Sequence, residues 1–478
     1  MTIAEASAER RETKLDPAVF RVIAVVLLGP FMSQMDSTVV NVSLSAIRDD
    51  LHSSTESAQW IVSGYLLALA LMLPLNGWLV DRLGAKRLYI ACFTLFTAAS
   101  MACGAARSMP VLVGARVLQG MAGGLLAPLT QLMMARVAGK QMARALGYAV
   151  VPVLVAPILG PVIAGAILKN ASWPWLFYVN LPVGVLAIAL AVRLLPADAR
   201  VAERRPFDVT GFLLISPGLV ALLYGLEQAA RGRRIGLAAV ATGSALLVAF
   251  ILHARRARSS ALIDLGLFKS PLFTNAAVTQ FLSNGMLYAN QFLVPLYLVT
   301  GAGLSPTRVG WLLAPAGIAM VFVYPMMGLI TDRFGCRAVV TSGVLLTVLG
   351  TLPFVWMTQR GLTTAGVEIG LVLRAAGQGA IGIPTISAAY ASVPKEKLSL
   401  ATTAVNIVQR LGGPMATIAI AMTVTIAAGR SVGGAAFLLP FLTLMTIQAL
   451  ALACAVRLPL RIGGDPPVAP TGVPLSRA

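Results

Sequence analysis

The chain has 478 residues, of which 58% are hydrophobic and 12% charged, and its formal net charge is +19 at pH 7. Soluble domains carry roughly twice that share of charge, so too little polar surface exists to dissolve a protein of this size, and a soluble globular fold is excluded. The basic excess would suggest nucleic acid in a soluble chain; here it sits in short links between apolar stretches, so the expected partner is the lipid bilayer and not nucleic acid.

Fourteen apolar stretches fill the chain, at 18–46, 57–80, 86–106, 109–135, 141–168, 174–195, 208–229, 235–254, 272–300, 306–330, 337–358, 363–391, 399–428 and 434–457. Each is near or above the roughly 20 residues that cross a bilayer core as a helix. All are expected to be helical, because backbone groups in lipid must be satisfied within their own segment. The fold class is therefore an all-α polytopic membrane protein with 14 transmembrane helices.

The first 17 residues are charged and lack an apolar core with a cleavage site, so no signal peptide is expected and 1–17 reads as a cytoplasmic N-terminal segment. With that placement most Lys and Arg fall on cytoplasmic links, including Arg82/Lys86/Arg87, Arg136/Lys140/Arg144, Arg193/Arg200/Arg204/Arg205 and Arg255/Arg256/Arg258. This is the positive-inside pattern; Arg231, Arg233 and Arg234, on an external link, run against it. Residues 261–268, short and amphipathic, are expected on the inner interface. The Pro- and Gly-rich 458–478 is expected to be a disordered cytoplasmic tail. Cys92, Cys103, Cys336 and Cys454 lack paired spacing and read as buried thiols, neither disulfides nor metal ligands.

An internal repeat is visible. Pro74, Gly77, Asp81, Arg82 and Gly84 recur as Pro325, Gly328, Asp332, Arg333 and Gly335, at a constant shift of 251 residues. Arg116 opens a Gly-rich run ending near Pro128, and Arg374 opens another ending near Pro384. Two related halves are typical of secondary transporters, with the site between them near the midplane. Both copies of the first motif fall on the same side, so the repeat is parallel. The chain then divides as a six-helix bundle at 18–195, two inserted helices with flanking links at 196–271, and a second bundle at 272–457, an arrangement of 6+2+6.

The first helix carries a lone carboxylate, Asp36. Gly29, Ser33, Asp36, Val40 and Ser43 recur at three-to-four spacing, a small and polar stripe that should face the bundle interior. An ionisable group in hydrocarbon marks an ion or substrate pathway by default; the alternative is a structural Asp that holds its helix in place. For Asp36 to couple a proton to a cargo, it must communicate with the space between the halves. Arg116 lies at comparable depth and is the candidate partner, the alternative being an Arg bonded to helix carbonyls. No nucleotide-binding loop, metal-ligand cluster or nucleophile elbow is present, so an enzyme or an ATP-driven pump finds no support.

The link Gly77-x-x-x-Asp81-Arg82-x-Gly84-x-Lys86-Arg87 resembles the signature loop of the major facilitator superfamily. Residues 35–42, Arg116 through Gly120, and Gly147 through Gly160-Pro161 to Gly165 narrow the resemblance to the fourteen-helix drug:proton antiporters, the multidrug efflux branch. The resemblance spans nearly the whole chain. It implies a major facilitator fold and proton-coupled export of lipophilic drugs or other small amphiphiles by alternating access, with Asp36 and Arg116 in proton coupling. It further implies a cytoplasmic-membrane location, no cofactor besides the proton gradient, and a periplasmic adaptor protein as a partner the family admits. Export of one endogenous metabolite, proton-coupled uptake, and a non-transporting receptor are the competing readings.

In the family, the loop cluster latches the inner gate, which assigns gating to Gly77, Asp81, Arg82, Gly84 and Arg87 and, in the second copy, Asp332 and Arg333. Gly160, Pro161 and Gly165 correspond to a motif characteristic of antiporters; Ala156 stands where the family commonly has Gly, and Ala164-Gly165 replaces a Gly pair. An adaptable pocket should be apolar, aromatic and polar at a few points, and its candidates are Met32, Gln59, Trp60, Tyr65, Gln119, Asn284, Asn290, Gln291, Trp311 and Asn406. Glu227 reads as interfacial. Arg116, Arg374 and Arg410 against a single interior acid predict a cavity of low acidity.

Overall fold

A computed structural model describes residues 17–198, 206–230, 232–257, 261–428 and 433–460. The proposed disordered tail after 460 and nearly all of the N-terminal segment lie outside the described residues. Fourteen long helices follow one another: α1 (Val19–Asp50), α2 (Thr55–Leu83), α3 (Ala85–Gly104), α4 (Met109–Ala138), α5 (Met142–Asn170), α6 (Trp175–Leu194), α7 (Val209–Ala230), α8 (Arg234–Ala257), α9 (Pro271–Leu296), α10 (Pro306–Phe334), α11 (Cys336–Arg360), α12 (Thr364–Ala391), α13 (Leu398–Ala428) and α14 (Leu438–Ala455).

Thirteen of these are long and apolar enough to cross a membrane among the described residues. The exception is α9, which is 26 residues long but carries Asn275, Thr279, Gln280, Ser283, Asn284 and Asn290. It is packed against α12, α13 and α14, and its polar groups find partners there. Gln280 Nε2 donates to the Gly382 carbonyl at 2.6 Å, and Gln378 Nε2 of α12 donates to Ser283 Oγ at 2.9 Å. A helix enclosed by other helices does not need the apolarity that lipid contact demands.

Local chemistry sets the ends and bends. Ser54, Ser270 and Ser305 cap α2, α9 and α10 by accepting from the backbone N–H three residues on. Pro30 has no N–H for the Val26 carbonyl, and the Thr130 hydroxyl of α4 donates to that carbonyl at 2.7 Å. The Tyr89 hydroxyl of α3 donates to the neighbouring Val25 carbonyl at 2.8 Å. The distortion of α1 thereby fixes its contacts with α3 and α4.

The helices α7 and α8 pack as a pair, and α7 also contacts α2 and α13. Asp208 gathers their ends: it accepts from Gly211 N at 2.8 Å, pairs with His253 at 2.8 Å and accepts from Leu262 N at 3.2 Å. The segment 261–268 does not lie free on the membrane interface as expected. Ala261, Leu262, Ile263 and Leu267 are buried against the protein, and Asp264 is held by Lys397 at 2.8 Å. Its apolar face finds protein before it finds lipid.

Between α2 and α3 the chain turns at Gly84, whose φ of 87° lies in the left-handed region. A Cβ there would sit 2.2 Å from the Asp198 carboxyl carbon. That carboxylate accepts from the N–H groups of Lys86 and Arg87 at 2.8 and 3.2 Å, while Lys86 Nζ donates to the Val192 and Leu195 carbonyls at 2.8 Å. The link thus couples the start of α3 to the end of α6. The repeat shows the same device: Gly335 has φ 83°, and Arg337 donates to the Leu458 carbonyl at 2.6 Å just past α14.

Gly84→Ala is expected to cost about 1–2 kcal/mol in backbone strain and a further ~1 kcal/mol from the lost cap. Gly232→Ala, at φ 71° with open space around it, should incur the strain alone. Thermal unfolding of the detergent-purified variants checks the difference.

Candidate functional site

Asp36 and Arg116 meet inside the first bundle. Arg116 Nη1 donates to Asp36 Oδ2 at 2.5 Å, and both side chains are at most 1% exposed. Gln119 Nε2 donates to Asp36 Oδ1 at 3.0 Å and Asn180 Nδ2 donates to the same oxygen at 2.8 Å. Arg116 also donates from Nε to the Ile61 carbonyl at 3.1 Å and from Nη1 to Gln119 Oε1 at 2.8 Å. Its guanidinium carbon lies 4.2 Å from the centroid of the Tyr65 ring, within cation–π range. Residues of α1, α2, α4 and α6 therefore build one buried polar cluster. Both alternatives weighed for Arg116, carboxylate partner and carbonyl donor, hold at once.

A cavity of about 830 Å³ lies between the halves, lined from α1, α2, α4, α5, α7, α9 and α13. Asp36 is not among its lining residues; its side chain lies in the interior of the first bundle, the side to which the small and polar stripe of α1 assigns it. Its neighbours Ser33 and Ser37 line the cavity, and so does Tyr65, whose hydroxyl is hydrogen-bonded to Ser33 at 2.6 Å. One layer of side chains, the Tyr65 ring and Ser33, stands between the ion pair and the cavity.

Of the proposed pocket residues, Tyr65, Asn284 and Asn406 line this cavity. Gln119 belongs to the Asp36 cluster, and Met32 is fully buried in the first bundle. Trp60 stacks on Tyr224 at 5.9 Å between α2 and α7. Gln59 and Asn290 are half-buried, Gln291 is exposed and Trp311 is 77% exposed; none of these lines the cavity. Gln34, Gln131, Tyr288, Gln409 and Arg410 line it instead. Glu227 also lines the cavity and accepts from Ser63 Oγ at 3.4 Å, so its interfacial reading is corrected. The end of α7 turns toward α2 and carries it inward.

The three arginines divide by environment. Arg116 is neutralised by Asp36, and Arg410 lines the cavity. Arg374 is buried in the second bundle with no hydrogen-bond partner among the described residues on any of its three nitrogens, its guanidinium 5.0 Å from the Phe354 ring centroid. The expected low acidity of the cavity therefore rests on Arg410 alone, facing one lining carboxylate.

On the face that carries the Gly77–Arg87 link, the halves are joined. Ser399 Oγ at the first turn of α13 donates to Asp81 Oδ1 at 2.8 Å, and Asn76 Nδ2 donates to Thr403 Oγ1 at 3.4 Å. Gly77 lets α2 approach α13: a Cβ there would stand 3.2–3.3 Å from Leu400, Ser399 and Thr403. In the second copy, Asp332 of α10 pairs with Arg144 of α5. Deeper in, Gln131 Oε1 accepts from Tyr390 and from Asn406, each at 2.7 Å. Arg82 and Arg333 are exposed and lie over the rings of Trp78 and Phe334, at 5.5 and 5.4 Å. Arg87 contributes its backbone N–H to the Asp198 contact.

In α5, Ala156, Gly160 and Ala164 are buried, with Gly160 against Thr38 of α1. The two alanines at departures from the family pattern thus lie on the packed face, while Pro161 and Gly165 are exposed. Asn180, Asp198, Arg144, Gln131 and Glu227 were not singled out as site residues. The signal available for Asn180 was an uncharged polar residue within an apolar helix.

A helical bundle of two joined halves around a largely apolar cavity with a few polar groups is the architecture of a membrane transporter. A sequence profile of the Major Facilitator Superfamily matches residues 26–417. The chain is 32% identical over 419 residues to a multidrug resistance protein B homolog of Mycobacterium tuberculosis, covering 86% of this chain and 77% of that protein. It also superposes on the human organic anion transporter MFSD10 (TETRAN), with a TM-score of 0.65 at 16% identity, over 92% of this chain and 100% of the other. The proton:xylose symporter XylE aligns with a TM-score of 0.58 at 14% identity, over 90% and 94%. The chain belongs to the major facilitator superfamily and is an integral membrane protein.

Removing Arg116 leaves a buried, unpaired carboxylate, whereas removing Arg374 leaves no orphaned partner. Arg116→Met is expected to destabilise by about 3–5 kcal/mol and Arg374→Met to be neutral or stabilising. The unfolding midpoints of the two purified variants should move in different directions or by clearly different amounts.

Proposed function

We propose that this protein is a proton-coupled antiporter that exports lipophilic compounds across the cytoplasmic membrane by alternating access. The observation that carries the reading is the Asp36–Arg116 pair, set one side-chain layer behind the cavity wall. Protonation of Asp36 would cancel its attraction for Arg116 and leave the guanidinium seeking partners on the Tyr65 side. Movement of that ring links the proton to the cavity. The similarity to a multidrug resistance protein supports a broad substrate range, as does an apolar, tyrosine- and amide-lined cavity.

In this reading the basic links favour a cytoplasmic Gly77–Arg87 face, which puts both termini in the cytoplasm and makes the latched face the inner gate. The 18–195 bundle would rock against the 272–457 bundle, with the Asp81 and Asp332 contacts breaking as the inner gate opens. The energy source in this reading is the proton gradient, with no bound cofactor. Loading of Asp36 from the outer side requires the Tyr65–Ser33 layer to part.

In proteoliposomes, Asp36→Asn is expected to abolish proton-driven export and substrate-induced proton release while leaving folded protein in the membrane. Retention of full coupled export would reject Asp36 as the coupling group. For the gate, Arg144→Asp should widen the distance between spin labels at the cytoplasmic ends of α5 and α10, and adding Asp332→Arg should bring it back toward the wild-type value.

A further inference from the structure

The inserted pair α7–α8 interrupts the repeat, and the Asp36 cluster does not use it. Its two flanks nonetheless meet the Asp81–Ser399 contact from opposite sides. Just before α7, the Phe207 ring packs on Trp78 of α2 with 4.7 Å between centroids, within one helical turn of Asp81. Beyond α8, Asp264 pairs with Lys397 at 2.8 Å, and Lys397 immediately precedes α13, whose first turn carries Ser399. Asp208 joins the two flanks. Its Oδ1 accepts from Gly211 N and pairs with His253 of α8, and its Oδ2 accepts from Leu262 N. The Asp208 side chain is only 7% exposed, and Leu262 and Ile263 are buried.

We propose that the flanks of the insert form a clasp across the joint between α2 and α13, with Asp208 as its hub. Asp208 is then a positioning residue of the gate, acting on α2 through Phe207 and on α13 through the segment that Asp264 anchors. The inference rests on the rocking of the two bundles proposed above, and not on proton coupling or the cargo. The direct joint consists of the Asp81–Ser399 and Asn76–Thr403 hydrogen bonds. The clasp runs beside it as a second connection, and its links stand in series: ring contact, hub, then ion pair. Contacts in series share one fate, since cutting either end releases the whole, whereas independent contacts add. Separation of the halves at this face must undo the clasp, so the insert biases the population toward the closed arrangement.

Electron–electron distance measurements on the full-length protein test this, with spin labels at Leu83 and Lys395, both exposed beside the joint. Phe207→Ala and Lys397→Gln should each raise the ratio of wide to narrow separations by about two- to fivefold, the effect a partly exposed contact can supply. Lys397→Arg should stay near the wild type. Asp208→Asn, which keeps an acceptor for Gly211 but not for Leu262, should match the two cut ends. Phe207→Ala combined with Lys397→Gln should open the joint no further than the more open single variant. Additive opening in that double variant would overturn the clasp, leaving two separate packing contacts. Unchanged distances in the Phe207, Asp208 and Lys397 variants, with widening in Asp81→Asn, would overturn it and leave the rocking intact. Unchanged distances in all of them, Asp81→Asn included, would remove the rocking at this face and the clasp with it.

Discussion

Taking a carboxylate out of water costs several kcal/mol unless a cation and hydrogen-bond donors meet it. Asp36 is met by Arg116, Gln119 and Asn180, and Arg116 in turn reaches the Ile61 carbonyl and the Tyr65 face. Four helices of the first half are therefore held in register by one charge pair. Among the described residues the second half has no such arrangement, although Arg374 opens its Gly-rich run as Arg116 opens the first. The duplicated cation lacks an acid and rests over Phe354. The repeat has kept the scaffold, while among the described residues the fully buried ion pair belongs to the first lobe.

The latch shows the opposite outcome, since both copies of the Gly/Asp motif are engaged across the interface. Asp81 reaches the first turn of α13, where exposed N–H groups favour an acceptor, and Asp332 reaches Arg144 on α5. The contacts are related by the repeat but include different partners, a hydroxyl donating to the carboxylate in the first copy and a guanidinium–carboxylate pair in the second. A partly exposed pair of this kind is a modest tie.

Much of this was legible in the chain. The fourteen helices followed from the length of the apolar runs, and the pairing of Asp36 with Arg116 followed from their similar depth. What depth cannot report is azimuth. Asp36 faces the heart of its own bundle, as its stripe implies, but the depth of Ser33 and Ser37 did not reveal that these two take the cavity face. The same limit applies to Met32, Trp60 and Trp311, which have suitable side chains on the wrong side of their helices. Glu227 was misplaced for another reason: its position near the end of α7 reads as interfacial only if α7 stands apart, and tertiary packing beside α2 draws it inward. Asp264 and the apolar residues around it likewise read as membrane-surface chemistry until the neighbouring bundle is present to cover them.

The placement of α7 along α2 and α13 also breaks the symmetry of the duplicated core. Two equivalent lobes create two lateral fissures, and the inserted helix stoppers one of them. The flank beside α5 and α10 needs no such stopper, because those two helices pack directly on each other, with Gly147 against Tyr324 and Pro325 and Gly328 against the Arg144 backbone. The lobes are thus joined by direct helix contact on one flank and through an inserted helix on the other, a handedness that the duplication alone would not produce.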